Sequence, residues 1–255
     1  MVAHNNGLRG MMKGGLRLIF PPQCLCCGEA VAEDGALCAT CWSDTSFING
    51  CACSRCGAPL PGELLGDEDD EGGFLICDEC LHMVRPWLRA RAAMVYDGAG
   101  RKLAMMLKHN DRPDLSPILG DWVARAAASL IRPEMLVIPI PVHIRRLIGR
   151  KYNQAELLAD RVAHVYDLIH LPHGLRRLRH SPMQDHGSVD DRFANVEDAF
   201  GITRRHASDI RGRSILLVDD VMASGATLAA AAETLRAAGS GPISVVVLAR
   251  AVKDT

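Results

Sequence analysis

The chain of 255 residues is poor in aromatic side chains, carries almost no net charge and contains no long apolar run. Each shortage excludes something. Aromatics at 4% are too few for a platform on which successive bases of a single strand could stack. No stretch approaches the ~20 apolar residues needed to span a bilayer, so no membrane insertion is expected and the chain reads as a soluble, cytoplasmic protein. An export signal is lacking as well: residues 8–20 are basic and partly apolar, but the apolar part is short and no small-residue cleavage site follows. They read as an amphipathic or frayed helix. Finally, no cysteine occurs after Cys80, because all ten fall between Cys24 and Cys80.

Eight of those cysteines form four Cys-x-x-Cys pairs: Cys24/Cys27, Cys38/Cys41, Cys53/Cys56 and Cys77/Cys80. Such a turn points two thiolates at one ion, and two turns complete the tetrahedral shell of a structural zinc. Four turns therefore hold two zinc ions, and pairing them in sequence gives two zinc ribbons. Gly28 and Gly57 follow the second cysteine of their pairs, where a left-handed backbone is common. A secreted disulfide framework would need an export signal, and a redox motif would not need four copies. Cys26 and Cys51 are left over, and either can substitute as a ligand.

The net charge of −1 hides an asymmetry. Residues 1–85 hold 5 Lys or Arg against 12 Asp or Glu, much of the acid lying in the run 67–71, which reads as a solvated loop. Zinc bound by four thiolates adds negative charge there, so that half does not attract nucleic acid by charge alone. Residues 86–255 are basic. A length beyond the roughly 100–150 residues of a typical domain supports two units, 20–85 and 86–255.

The second unit alternates in the βα manner. Strands are expected at 92–96, 136–140, 215–218 and 243–249, with helices at 101–109, 117–131, 153–167 and 226–238. A parallel sheet flanked by helices follows, an α/β fold. Segment 215–227 (ILLVDDVMASGAT) places a buried strand before Asp219 and Asp220 and then a small-residue turn. Met222, Ala223, Ser224, Gly225, Ala226 and Thr227 offer backbone N–H groups and two hydroxyls to a phosphate at a helix N-terminus. The paired carboxylates can accept hydrogen bonds from vicinal ribose hydroxyls, and should face a solvent-filled site because unpaired carboxylates resist burial. A ribose 5-phosphate meets both halves.

This segment resembles the signature with which type I phosphoribosyltransferases bind 5-phosphoribosyl pyrophosphate (PRPP), with Ala223 where a threonine is common. Two further segments supply what a pyrophosphate donor demands. Residues 138–154 run from a strand into a basic loop whose Arg145, Arg146, Arg150 and Lys151 can bond a diphosphate, with Asn153 placed to cap the next helix. Residues 178–200 are polar and weakly periodic, the character of a lid that keeps water from an oxocarbenium-like state and brings Arg192 or Gln184 toward the pyrophosphate.

The order of zinc knuckles, Trp42, residues 92–96, Lys108, Pro139-Ile140-Pro141, residues 150–154, Gln184 with Arg192, Asn195-Val196 and Val218-Asp219-Asp220 is similar to that of the ComF family. The resemblance covers nearly the whole chain after Phe20. It implies a type I phosphoribosyltransferase fold of five strands behind an N-terminal double zinc ribbon, Mg2+ bound with PRPP, and partners that include single-stranded DNA or competence proteins. Three functional classes follow: a transferase in which an acceptor nitrogen displaces pyrophosphate at C1, a module that binds PRPP or a ribose 5-phosphate nucleotide without catalysis, and a nucleic-acid adaptor. The adaptor would use the basic loops at 145–151, 176–180 and 204–213.

Overall fold

The computed structural model describes residues 21–62, 75–109, 112–142, 152–178 and 199–252. Seven strands occur among them: β1 (Arg89–Val95), β2 (Leu136–Pro139), β3 (Ile169–His170), β4 (Leu175–Arg177), β5 (Phe200–Ile202), β6 (Ile215–Met222) and β7 (Ile243–Arg250). Helices α1 (Ala39–Ser43) and α2 (Asp78–His82) lie in the cysteine region. Beyond it come α3 (Gly98–His109), α4 (Ser116–Ala127), α5 (Gln154–Tyr166), α6 (Ala207–Ile210) and α7 (Ala226–Ala237). Five strands form one wholly parallel sheet in the order β1-β7-β6-β2-β3, and β4 and β5 pair antiparallel beside it.

The central strands are apolar at consecutive positions because both faces of the sheet are covered. Successive side chains of a strand point to opposite faces. Ile215 and Leu217 of β6 accordingly join Ile243, Val245 and Val247 of β7 in a core closed by Leu228, Ala232 and Leu235 of α7. Leu216 and Val218 join Val246 and Leu248 in a second core, closed by Leu103 of α3, Val123 of α4 and Leu158 of α5. Burying a side chain of this size contributes ~1.5–3 kcal/mol, so these two layers hold the unit together. Hydrogen bonds set its register.

The cysteine region straddles the outer edge of β1. Cys24, Cys26 and Cys41 belong to the core of the α3–α5 face, whereas Cys53, Cys56 and Cys80 belong to that of the α7 face. Between them the segment around Phe47 pairs antiparallel with β1: Ile48 N–H donates to Ala93 O (3.0 Å) and Val95 N–H to Ser46 O (2.8 Å). Further along, Ala90 N–H donates to Ser54 O (2.8 Å). Gly57 (φ 70°) lies so close to β1 that a Cβ would stand 3.0 Å from both Ala92 N and Arg91 C. Only glycine fits there.

The structure alters four expectations. β6 runs to Met222 rather than stopping at Val218, because Asp219, Val221 and Met222 pair in register with Val247, Ala249 and Arg250 of β7. The two acids therefore sit inside the strand. Asn153 occupies the N-cap position of α5 without a side-chain cap bond; its amide donates instead to Ile140 O (3.1 Å), tying the helix start to the end of β2. The helix expected at 117–131 ends at Ala127 and continues as the 3-10 turn Ala128–Leu130. β3, β4 and β5 carry two or three residues each, too few for a period to show.

Candidate phosphate site and metal centres

The eight Cys-x-x-Cys sulfurs gather as expected, Cys24, Cys27, Cys38 and Cys41 in one group and Cys53, Cys56, Cys77 and Cys80 in another, each group's Sγ atoms within 4.8 Å of one another. A tetrahedron with metal–sulfur bonds of ~2.3 Å has edges of ~3.8 Å. The Cys27–Cys38 and Cys56–Cys77 sulfurs, 3.7 and 3.6 Å apart, match it. Backbone N–H groups point at the sulfurs, from Cys38 to Cys24 (3.2 Å) and from Cys77 to Cys53 (3.4 Å), as thiolates require. The donor set fits two structural zinc ions. Cys26 and Cys51 are buried and belong to neither group. The Cys56 side chain draws the Cys53 thiol down to about 4, while burial pushes Cys80 up to about 11. Loading a metal therefore expels protons from the higher members.

Asp219 and Asp220 stand near the carboxyl end of β6, where open α/β sheets bind ligands. Asp219 N–H and C=O belong to the sheet, and its carboxylate accepts the N–H of Asp220 (2.9 Å), whose own carboxylate accepts the N–H of Val221 (2.8 Å). Asp219 keeps some surface but lies deep among packed atoms. Burial first, and the charge of Asp220 second, push its pKa well above the ordinary carboxylate range. Lys108 Nζ, 3.8 Å from Asp220 Oδ2, opposes the shift. Lys108 arrives from the C-terminal turn of α3, which Tyr152 and Gln154 hold by donating to Leu107 O (2.8 Å) and Lys108 O (3.3 Å).

The turn after β6 has the backbone that a phosphate cradle needs. Gly225, at the N-cap of α7, adopts φ 80°. Ser224 Oγ accepts the N–H of Ala226 at 3.4 Å, and the first turn of a helix leaves N–H groups without intrahelical partners. Ala223 is exposed, Ser224 and Thr227 are half-buried, and Gly225 and Ala226 are buried. Met222, expected in the turn, is the last residue of the strand with its side chain in the core. The structure thus brings together Asp219, Asp220 and 223–227. Arg145, Arg146, Arg150, Lys151, Gln184 and Arg192, together with the segments at 8–20 and 67–71, lie outside the described residues.

Two buried arginines that sequence reasoning passed over also reach this turn. Arg85 donates to Ser224 O, and Arg250 to Ala223 O (2.7 Å) and Met222 O (3.3 Å). The signal for Arg250 was a charge closing the run of β7, which is apolar but for Ser244. Elsewhere, a cleft of about 370 Å3 opens along β1, lined by Trp42, Phe47, Trp122, Arg91 and Arg125 among others.

Metal analysis of protein purified without chelator is expected to give about two zinc ions per chain, and Cys77→Ser to remove about one of them. For Asp219 the folded-state pKa is raised, so the stability it contributes is full below its unfolded value and is lost as pH rises through the folded value. Asp219→Asn removes that loss. The variant should melt above the parent at neutral pH, by ~2–4 °C for each kcal/mol relieved, with the gap closing toward acid. A melting series over pH checks both sign and trend.

Comparison with known proteins adds family to geometry. A double zinc ribbon domain model matches residues 15–81, and a phosphoribosyl transferase domain model matches residues 176–255. DNA utilization protein YhgH of Salmonella typhimurium is 28% identical over 204 residues, 78% of this chain and 83% of that protein. Competence protein F of Haemophilus influenzae is 34% identical over 128 residues, 50% of this chain and 55% of that protein. A solved structure of glutamine PRPP amidotransferase from B. subtilis, complexed with ADP and GMP, aligns with 56% of this chain and 30% of its own at 19% identity and a TM-score of 0.39. Among the described residues no helix is long and apolar enough to cross a membrane. A double zinc ribbon ahead of a phosphoribosyltransferase domain, with relatives of these names, fits the chain to the ComF family.

Proposed function

We propose that the chain binds PRPP, or a ribose 5-phosphate nucleotide, with Mg2+ at the carboxyl end of β6, as a phosphoribosyltransferase-like protein. In this reading 20–85 is the ribbon unit and 86–255 the ligand-binding unit. The conjunction that carries it is a carboxylate pair at the end of β6, with Asp219 held where burial disfavours its charge, ahead of a small-residue turn at the N-terminus of a 12-residue helix. A pair that met no ligand would be a liability there. The N–H groups of 224–227 take the 5-phosphate, and the vicinal hydroxyls donate to Asp219 and Asp220. Mg2+ offsets the charge of the diphosphate. Arg145, Arg146, Arg150 and Lys151, with Arg192 and Gln184, are the sequence-based candidates for the diphosphate itself. In a transfer, an acceptor nitrogen attacks C1 as the C1–oxygen bond breaks and pyrophosphate leaves with the electron pair.

One observation favours a second reading, single-stranded DNA binding by the same chain. With only three tryptophans available, the β1 cleft gathers two of them, Trp42 (57% exposed) and Trp122, around Phe47 at ring distances of 4.8 and 4.9 Å. The exposed Arg125 adds positive charge at its wall. Stacking of a base on such rings is worth ~1–3 kcal/mol. The relatives' names speak of DNA utilization and competence.

Calorimetric titration of the zinc-loaded chain with PRPP and Mg2+ is expected to show binding. Asp219→Asn with Asp220→Asn should weaken it at least ~tenfold while the protein stays folded, since hydrogen bonds to charged groups are lost. Unchanged affinity in the folded double variant overturns the first reading. For the second, an oligonucleotide titration should show salt-sensitive binding that Trp42→Ala weakens ~5-fold or more and that PRPP leaves unaltered. Equal binding by Trp42→Ala removes the cleft from consideration.

A further inference from the structure

The second cysteine group and the phosphate turn are joined by a charge relay. Glu79 lies between Cys77 and Cys80 on α2, inside the knuckle. Its two carboxylate oxygens pair with two different arginines, Oε1 with Arg85 Nη2 (3.3 Å) and Oε2 with Arg250 Nη2 (3.0 Å). The other terminal nitrogen of each arginine faces the turn. Arg85 Nη1 donates to Ser224 O, and Arg250 Nη1 donates to Ala223 O and Met222 O.

Burial makes these contacts consequential. The side chains of Arg85 and Arg250 are 1% and 3% exposed, and the guanidinium of Arg85 lies over Trp87 at 5.6 Å. A guanidinium without water must have its charge answered nearby. Glu79 supplies one negative charge, and four thiolates on a divalent ion leave two more. The turn itself leaves no slack. A Cβ on Gly225 would stand 2.7 Å from Arg85 Nη1 and 3.3 Å from the Trp87 ring. Arg85 thus spans from the knuckle to the carbonyl of Ser224, and Arg250 from the knuckle to those of Met222 and Ala223. When those carbonyls are held back by donors, the N–H groups on the other side of the same peptides face the open side.

We propose that Arg85 and Arg250 are positioning residues of the phosphate turn, set in place by Glu79, so that the second zinc knuckle is part of the ligand site rather than a separate structural unit. This rests on the ribose 5-phosphate reading given above. The ligand class is the 5-phosphate end of that molecule, not its diphosphate. Arginine is required because its planar fork sets donors apart, one toward Glu79 and one toward the turn, a reach that the compact ammonium of lysine lacks.

The decisive variant is Glu79→Gln, which keeps shape and leaves all eight zinc ligands intact; Arg161→Gln, on the ion pair with Asp121 at the opposite helices, is the control. In the full-length, zinc-loaded protein, Glu79→Gln should retain about two zinc ions yet exchange the amide hydrogens of 223–227 at least ~tenfold faster, the effect of a lost charged hydrogen bond. Affinity for ribose 5-phosphate and for PRPP should fall by a similar factor, inorganic pyrophosphate should be unaffected, and Glu79→Asp should restore part of the loss. Arg85→Lys should behave like Glu79→Gln. Unchanged exchange at 223–227 in zinc-loaded Glu79→Gln overturns the positioning role whether or not any ligand binds. If the parent binds neither ribose 5-phosphate nor PRPP while the exchange changes as expected, the ligand reading fails and the relay stands.

Discussion

A parallel sheet cannot leave its edge strand open to water without exposing a row of unpaired backbone groups, and the covering of β1 is the constraint on which this structure turns. β1 is the first strand of the sheet and lies at its rim. The cysteine region supplies what its outer edge lacks, donating from Ile48 and accepting from Val95 and Ala90. That task explains why the region is spread along the strand instead of folded on itself. It also explains why one group of sulfurs lies on each face of the sheet, and why Gly57 tolerates no side chain. Metal-bound knuckles suit the work because they are rigid with almost no core of their own.

The carboxyl end of the sheet follows the opposite logic. There the backbone is satisfied, but the side chains are under tension: one carboxylate crowded by burial, a second beside it, and Lys108, 3.8 Å from that second one, as partial relief. Residues that look incidental in sequence manage this tension. Tyr152 and Gln154 grip the end of α3 and thereby fix Lys108, while Asn153 grips the end of β2. Stability given up at such a place is the usual mark of a site built to meet a ligand.

What could be read from the sequence was what chemistry confines to a short stretch. Ligand spacing within a Cys-x-x-Cys turn is fixed over three residues, so both metal groups and their sequential pairing were legible. The central strands were legible because a run such as Ile215–Val218 has few alternatives to burial on two faces. Strand β6 was cut short in that reading because two aspartates look like an end; the register with β7 overrode the look. Asn153 has the residue type of a helix cap, but its Nδ2 donates to Ile140 O just past β2, and the orientation this imposes leaves Oδ1 without a capping bond. Arg85 and Arg250 were out of reach for a different reason. Their joint arrangement needs Ser224, 139 residues from Arg85, and Glu79, 171 from Arg250, and no local pattern encodes such a pairing.

The order of strands in the sheet also bears on how the molecule comes to be made. β7, the last strand in the chain, inserts between β1 and β6, with Arg89 beside Ser244 and Val95 beside Arg250. Until β7 is delivered, β1 has no neighbour in the sheet, so the cysteine region has no finished edge to cover. Each of these contacts closes a loop of most of the chain, a costly and slow event compared with local turns. Docking of the cysteine region on a completed β1 edge therefore waits on pairings that span most of the chain.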